Sequence, residues 1–267
     1  MTESLVTWLY AVALGAGQDP DSVTGTGMTG VAGEKVHVVE EAALIGIVGS
    51  VPAKDFGEQA LSDHLQDLDW LEEAVRAHHV VICAVGRTRN VVPLRFATIY
   101  HDDDRVRALL TERRTDFVSA LDRVAGRTEW GVKAYADERT SEHRNTSEER
   151  SDETDRPGTA YLLRRRAQRQ GEETAHQEAE ARAVQIHEAL EEFAVESAHH
   201  RPQDPRLARY EGLMILNSSY LVPDIRTQAF AAAVETLRRR FPGVLIELVG
   251  PWPPYTFSGD DVTQERS

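Results

Sequence analysis

Cysteine is almost absent from this chain. Cys83 is the single one among 267 residues, which excludes an intrachain disulfide. It lies in the apolar run of residues 80–85, which predicts a buried strand, and a thiol in such a run behaves as a small hydrophobe. A lone thiol fits a reducing cytoplasm, where we expect the protein. Because no base flanks it in the sequence, Cys83 is not expected to act as a nucleophile.

The chain also has few lysines and no long apolar run. Lys35, Lys54 and Lys133 are the three lysines, and the formal net charge is −14. Phosphate affinity comes mainly from basic side chains, so this balance argues against a nucleic-acid partner. No apolar run reaches the roughly 18 residues that a membrane-spanning helix needs, so none is expected. The first four residues carry an acidic and no basic side chain, so no secretory signal is expected.

The first half of the chain alternates apolar segments with turn-forming residues. Apolar runs predict strands at residues 5–14, 35–39, 42–48 and 80–85, and an extended segment at residues 91–100. Leucines at helical spacing predict a helix over residues 61–75, and Asp55 and Glu58 have the spacing of a capping box before it. The glycine-rich residues 15–33 predict a loop, because their loose G-x-G-x-x-G pattern is not followed by a helix.

A second helix is predicted after three consecutive aspartates, Asp102 to Asp104, because negative charge suits a helix N-terminus. The helix covers residues 106–124, and Gly126 is placed to end it. His101 precedes the aspartates, but the helix start explains their position, and no metal site is expected. The histidine pairs at 78–79 and 199–200 are each predicted to close a helix.

The second half reads β–α–β–α–β, which resembles a ferredoxin-like α+β layer that lacks one strand. The strands are predicted at residues 128–136, 210–222 and 244–249, and the helices at residues 159–197 and 230–241. The long first helix is polar on almost every face in its first half and regains a core face through Ile186, Leu190 and Phe193.

The fold class that follows is α+β, with two α+β domains. Residues 1–126 are assigned to the N-terminal domain and residues 127–257 to the C-terminal, ferredoxin-like domain with its long helix. Residues 137–157 form a variable polar insert without a large apolar side chain, and residues 258–267 a flexible tail.

Three prolines and three aromatic residues follow the last strand, in the run Gly250-Pro251-Trp252-Pro253-Pro254-Tyr255-Thr256-Phe257. Each proline fixes its own φ and lacks an N–H, so the chain leaves the strand as a stiff segment of definite shape. Its aromatic side chains, Trp252, Tyr255 and Phe257, either anchor the C-terminus on the protein's own core or form a recognition surface. We favour the anchor.

Two segments carry a family resemblance when taken with the opening Trp8-Leu9-Tyr10 strand and the Glu129-Trp130-Gly131-Val132-Lys133 strand. One is Val92-Pro93-Leu94-Arg95-Phe96-Ala97-Thr98, and the other is the C-terminal proline segment. In this order they resemble the gas vesicle protein L/F family over nearly the whole chain. The family commonly has Gly where this chain has Ala97, and Ser where it has Thr256.

The resemblance implies a non-enzymatic accessory role in the assembly of gas vesicles, which are protein-walled, gas-filled compartments of the cytoplasm. It also implies two α+β domains, the second a modified ferredoxin-like fold. The implied partners are the small hydrophobic shell protein and other accessory proteins. Pro93, Leu94, Arg95 and Phe96 in the first motif, and Trp252, Pro253, Pro254, Tyr255 and Phe257 in the second, are the candidate structural or partner-binding residues.

Two alternatives stay open at this stage. Arg95 lies between apolar neighbours, so it serves either an ion pair or carbonyl cap within its domain or a contact to a partner. A small-molecule-binding or enzymatic protein is the rival class, because ferredoxin-like α+β domains support many chemistries. No nucleophile turn, phosphate-binding lysine loop or metal-ligand spacing supports that rival, and no catalytic, cofactor-binding or metal residue is predicted. RNA binding is disfavoured by the acidic balance.

Overall fold

The computed structural model describes residues 4–15, 27–136, 157–202, 210 and 212–259. Contacts between Cα atoms divide the chain into two compact units, Met1–Glu129 with Pro251–Ser267, and Trp130–Gly250. The first division lies three residues beyond the Gly126 that the sequence suggested. The C-terminal proline segment groups with the first unit, whereas the sequence placed it in the second domain. The side chains of Trp252 and Tyr255 contact His79 of a helix in the first unit.

The first unit is built on an antiparallel sheet with strand order β2-β3-β1-β4, and a short β5 that also pairs with β1. Its strands are β1 Leu5–Leu14, β2 Val36–Glu41, β3 Leu44–Pro52, β4 Val91–Pro93 and β5 Ile99–Tyr100. Its helices are α1 Ala53–Phe56, α2 Glu58–His64, α3 Leu68–Gly86, α4 Asp103–Glu112 and α5 Arg114–Val124.

Helices cover both faces of this sheet. Leu9 and Val12 of β1 pack with α4 and α5 on one face, whereas Trp8 and Tyr10 pack with α3 on the other. The pairing of β1 with β3 shifts register between Leu9 and Ala11. Trp8 and Tyr10 share the α3 face by the normal alternation of a strand, and the bulge turns Ala11 to that face as well.

The β2–β3 hairpin is closed by two residues, Ala42 and Ala43, with φ of 52° and 66°. Positive φ at both positions is what a type I′ turn requires, and alanine adopts it less readily than asparagine or glycine. The Ala43 carbonyl accepts the Gly15 N–H at 2.9 Å, and the Ala42 carbonyl accepts Arg114 Nε–H at 3.0 Å. These bonds hold the turn in its left-handed conformation.

Several predictions for the first unit are wrong. The histidine pair at 78–79 does not close a helix, because α3 continues to Gly86. Residues 80–85 form the last turns of α3 and not a strand: Val81, Ile82 and Val85 are buried, whereas Val80 is exposed. Helical spacing explains that pattern, which a short apolar run leaves ambiguous. The capping box at Asp55 and Glu58 is also wrong, because α2 begins after Gly57 without a side-chain cap.

The second unit has the order β–α–β–β–α–β, with sheet order β7-β8-β6-β9. Its elements are β6 Arg127–Ala136, α6 Pro157–Glu191, β7 Glu196–His199, β8 Leu213–Pro223, a 3₁₀ turn Asp224–Arg226, α7 Thr227–Arg240 and β9 Val244–Trp252. This is the ferredoxin-like order. Ile186 and Leu190 of α6 and Phe230 and Val234 of α7 pack on one face of its sheet.

The sequence predicted that one strand of this layer is missing, and that prediction is wrong, because β7 supplies the strand. The α+β class is confirmed. The long helix ends at Glu191, where Phe193 and Ala194 donate to Leu190 and Glu191 in a tight turn, so its predicted extension to residue 197 is wrong. His199 consequently lies in a strand and not at a helix end. Among the described residues, no helix combines the length and apolar character needed to cross a bilayer. Of the polar insert predicted at 137–157, residues 137–156 lie outside the described residues, and Pro157 begins α6.

Candidate functional site around His78 and His79

The candidate site is organised by two consecutive histidines of α3. The helix begins at Asp67, whose carboxylate accepts the N–H groups of Asp69 and Trp70, and its apolar spacing fixes which face meets the sheet. Neighbouring positions on a helix point in different directions. His78 points into the sheet-facing core, and His79 lies at the rim of that face, partly exposed.

His78 bridges β1 and the first family motif. The indole Nε1–H of Trp8 donates to His78 Nδ1 at 3.0 Å, and His78 Nε2 lies 3.2 Å from the carbonyl oxygen of Leu94. Because an indole N–H only donates, Nδ1 must accept, and the ring proton must sit on Nε2, where it donates to Leu94. The ring of Phe96 meets both Trp8 and His78 edge-on, with centroids 5.2 and 5.7 Å away.

Burial lowers the pKa of His78 to about 4, and the neighbouring His79 adds to the decrease, whereas the bond to the Leu94 carbonyl opposes it. Desolvation is the largest cause because the ring is enclosed by apolar and aromatic side chains. The hydrogen bonds are also matched to the neutral ring, since a second ring proton would face the Trp8 N–H. His78 is therefore a neutral structural connector at physiological pH.

The first motif forms the connection from β4 to β5. Pro93 ends β4, and the buried Leu94 donates its N–H to the Tyr10 carbonyl at 2.9 Å. The side chain of Arg95 is exposed, and its carbonyl accepts Thr98 Oγ1–H at 2.7 Å. This tight turn holds Ala97 at a φ of 65°, a left-handed conformation that favours glycine.

His79 meets the second motif. Its Nδ1 lies 3.1 Å from the hydroxyl of Tyr255, and its Nε2 lies 3.2 Å from Cys83 Sγ. The rings of Tyr255 and Trp252 lie 5.9 and 4.9 Å from the His79 ring, the first stacked and the second edge-on. Burial lowers the pKa of His79 and raises the pKa of Tyr255 and of the Cys83 thiol. A raised thiol pKa is opposite to what a nucleophilic cysteine needs.

A buried carboxylate fixes the end of the second motif. Glu129 is 6% exposed, and its two oxygens accept the Thr256 N–H at 2.8 Å and the Thr256 hydroxyl at 2.6 Å. Bonds to an ionised acceptor are stronger than neutral ones. The serine that the family commonly carries at this position has the same hydroxyl, so Thr256 keeps the contact.

The remaining motif residues shape the segment. Pro253 is half-buried, its carbonyl accepts the Tyr255 N–H at 2.8 Å, and the buried Pro254 accepts Phe257 N–H at 3.3 Å. Phe257 is 2% exposed, whereas Trp252 is 38% exposed. The structure thus brings both motifs to α3, one at His78 and the other at His79.

Sequence reasoning missed the three side chains that join the motifs. His78 and His79 were interpreted as a helix end, and Glu129 was noted only as part of a strand. The contact of the buried Tyr10 with the half-buried Glu34 was also missed; the Tyr10 hydroxyl donates to the Glu34 carboxylate at 2.6 Å and accepts the Val31 N–H at 2.9 Å. A histidine inside an apolar helical pattern was the available signal.

Other predicted features have local roles. Asp102 caps α4 by accepting the Arg105 N–H at 2.8 Å, as the aspartate run predicted. His101 lies 3.1 Å from the Asp102 carboxylate. Across the residues that the structure describes, no group of three or more histidine, cysteine or acidic side chains is arranged to hold a metal ion.

Comparison with known proteins agrees with the motifs. Residues 6–259 match the model of the family described as gas vesicle synthesis protein GvpL/GvpF. Gas vesicle protein L of Streptomyces sp. (strain CB03234) is 38% identical over 97% of this chain and 95% of its own length. Gas vesicle protein F of the same strain is 28% identical over 94% of this chain and 98% of its own length.

The fold is that of a solved relative. The crystal structure of the gas vesicle protein GvpF from Anabaena sp. PCC7120 superposes with a TM-score of 0.70 at 18% identity, covering 99% of this chain and 100% of that one. The family match spans both units and includes both motifs that meet at α3. The chain belongs to the gas vesicle synthesis protein GvpL/GvpF family.

Proposed function

We propose that this protein is a non-enzymatic accessory factor of gas vesicle assembly. In this role it binds the small hydrophobic shell protein, together with other accessory proteins, and keeps shell subunits soluble or delivers them to the growing wall in the cytoplasm. The observation that carries the proposal is the family match over residues 6–259. The higher identity to protein L than to protein F of one Streptomyces strain favours an L-type member.

Physical chemistry gives this role a reason. A subunit that lines a gas space exposes a large apolar surface before it assembles, and such surfaces aggregate in water. An acidic partner with a net charge of −14 that covers this surface would keep the complex dispersed by charge repulsion.

The candidate site supports a structural rather than a catalytic role. Its titratable groups are hydrogen-bonded within the fold: His78 to Trp8, His79 to Tyr255, and Glu129 to Thr256. Tyr255 and Phe257 anchor the C-terminal segment in this proposal, and Trp252 is left for a partner. Leu94 and Phe96 of the first motif contact α3 at His78.

Co-expression of the chain with a gas vesicle shell protein tests the proposal. The expected result is that the shell protein becomes soluble and co-elutes with the chain through affinity and size-exclusion steps. Recovery of the shell protein only as aggregate, at the same level with and without the chain, would contradict the proposal. The matched control is an unrelated acidic protein of similar size and charge.

A further inference from the structure

Helix α3 carries a second apolar stripe that faces solvent. Leu68 is 76% exposed and Val75 is 42% exposed, and the half-buried Leu71 lies between them. His79 continues the series one turn further on. Residues at positions i, i+3, i+7 and i+11 share one face of a helix, which is the spacing with which helices pair side by side.

Trp252 extends this stripe. Its ring lies 4.9 Å from that of His79 and remains 38% exposed. Because Val75 precedes His79 by four residues, the two side chains are neighbours on the helix surface. The C-terminal segment therefore covers the stripe at His79 and leaves the part from Leu68 to Val75 open. Leu65, which is 40% exposed, adds apolar surface before the helix begins.

The open part lies in an acidic stretch of the chain, and Glu72 borders it on the helix surface. Residues 58–76 contain six acidic residues and a single lysine or arginine, Arg76. All six acidic side chains are exposed: Glu58, Asp63, Asp67, Asp69, Glu72 and Glu73. Arg76 pairs with Glu72 on the helix surface, which leaves the region strongly negative. An apolar stripe with a negative border is complementary to a helix with an apolar stripe and a positive border.

We propose that the exposed stripe of α3, from Leu68 to Val75 and ending on Trp252, binds a basic amphipathic helix of a partner protein. The helix lies along α3 with its apolar residues on Leu68 and Val75, its Lys and Arg side chains beside the acidic border, and one end against Trp252. A half-exposed tryptophan at the end of an aliphatic stripe supplies the large anchor that binding hot spots contain. The inference deepens the proposed function, on which it rests, by giving the partner's chemistry.

Calorimetric titration of the full chain with two designed peptides tests the chemistry. One peptide is an amphipathic helix of leucine and lysine, and the other has glutamate in place of every lysine. The leucine–lysine peptide is expected to bind, and Leu68→Ser together with Val75→Ser is expected to weaken it at least about tenfold. The glutamate peptide is expected not to bind. Equal binding of both peptides, or no effect of the double substitution, would overturn the proposal.

Matched controls separate the stripe from the rest of the surface. Val80→Ser changes an aliphatic side chain of α3 that is 55% exposed but lies off the stripe, and it should bind as the wild type does. Glu72→Lys borders the stripe, whereas Asp122→Lys on α5 changes the net charge equally elsewhere. Only Glu72→Lys should weaken binding of the leucine–lysine peptide. An equal loss of affinity from both substitutions would indicate nonspecific charge attraction and contradict the assigned surface.

The same variants distinguish a failure of the assigned binding surface from a failure of the proposed function. Suppose that the wild-type chain captures the shell protein, and that the Leu68 and Val75 double variant binds both the shell protein and the leucine–lysine peptide as well as the wild type does. The assigned surface is then wrong, and the proposed function stands. If the wild-type chain captures no shell protein, the proposed function fails whatever the peptides do. Circular dichroism of each variant verifies that these exposed substitutions leave the fold intact.

Discussion

Trp8 and His78 are seventy positions apart in the sequence and share a buried hydrogen bond of 3.0 Å. This bond joins the central strand of the first unit to α3, and the opposite ring nitrogen continues it to the Leu94 carbonyl. Replacing His78 with leucine should lower the free energy of unfolding by about 2–5 kcal/mol, because it leaves the indole N–H and the carbonyl buried without partners. Urea denaturation followed by tryptophan fluorescence measures the change.

His176→Leu is the control for that substitution, because this histidine is exposed on α6. It is expected to change the unfolding free energy by less than about 0.5 kcal/mol. A His78→Leu variant as stable as the control would show that the connection contributes nothing.

The same histidine predicts a pH dependence. Burial lowers the pKa of His78 to about 4 in the folded state from an ordinary value of 6.5, so the folded protein resists a proton that the unfolded chain takes up. Its contribution to stability is complete above pH 6.5 and is lost as the pH falls towards 4. The free energy of unfolding falls by about 3 kcal/mol over this range, because each unit of pKa difference is worth about 1.4 kcal/mol.

Comparing the wild type with His78→Leu between pH 7 and pH 4.5 isolates this contribution, since other groups titrate in both proteins. The gap between their unfolding free energies should narrow as the pH falls. A constant gap over this range would mean that His78 titrates in the folded protein as it does in the unfolded chain.

Ala97 marks a place where the chain is strained. Its φ of 65° is one that alanine adopts at a cost of about 1–2 kcal/mol, and glycine adopts it freely. We expect Ala97→Gly to raise the unfolding free energy by about 0.5–1 kcal/mol, because the relief of strain exceeds the greater freedom of glycine in the unfolded chain. Thermal unfolding measures the shift.

Ala77→Gly, in the interior of α3, is the matched control and should lower stability by about 1 kcal/mol. Opposite signs at the two alanines are the expected result. Destabilisation by glycine at both positions would contradict the assignment of strain to the turn.

The contact between Glu129 and Thr256 predicts a graded series at the C-terminal segment. Thr256→Ser keeps the hydroxyl and should leave stability nearly unchanged. Thr256→Val removes the 2.6 Å bond to the carboxylate and should cost about 1.5–3 kcal/mol. Amide hydrogen exchange of residues 255–258 should accelerate in the valine variant alone. Similar exchange in both variants would mean that the hydroxyl does not hold the segment.

A second histidine pair provides a pH prediction for the other unit. The rings of His187 and His199 lie 4.3 Å apart, and the Nδ1 of His187 lies 2.8 Å from the Tyr220 hydroxyl. Burial lowers the pKa of His187, and His199 adds to the decrease, whereas Glu191 and Glu188 raise it. Acidification should therefore loosen β7, because a proton on the His187 ring is disfavoured by burial and by the adjacent His199.

His199→Asn tests that coupling. It should raise the pKa of His187, measured by NMR titration of the ring protons, because the neighbouring positive charge is removed. The exchange rate of β7 amides should then rise less on acidification than in the wild type. An unchanged His187 titration would show that the two rings do not interact.

Local patterns predicted much of the fold, and long-range pairing accounts for most of what they missed. β1 and β6 have clear periodicity and lie where the sequence indicated. A helix does begin after Asp102, but the single helix predicted over residues 106–124 is divided at Arg113 into α4 and α5. The apolar run at 80–85 fits either a buried strand or a buried helix, and only its packing against the sheet decides. β7 has four residues with little apolar character, so no sequence signal separated it from the preceding helix.

The candidate site was predictable in its motifs and not in its connections. The resemblance singled out Leu94, Phe96, Trp252 and Tyr255, and all four contact α3 or the sheet-facing core beside it. Nothing local in the sequence shows that consecutive histidines of one helix connect to two motifs more than a hundred residues apart. Such contacts arise from the topology of the sheet, which places β1 between β3 and β4.

We propose that this chain serves gas vesicle assembly by binding other proteins. The most direct test of this proposal is electron microscopy of cells that lack the chain, complemented with the wild type or with the Leu68 and Val75 double variant. The account predicts no mature vesicles without the chain and restored vesicles with the wild type. Normal numbers of vesicles in cells without the chain would contradict it.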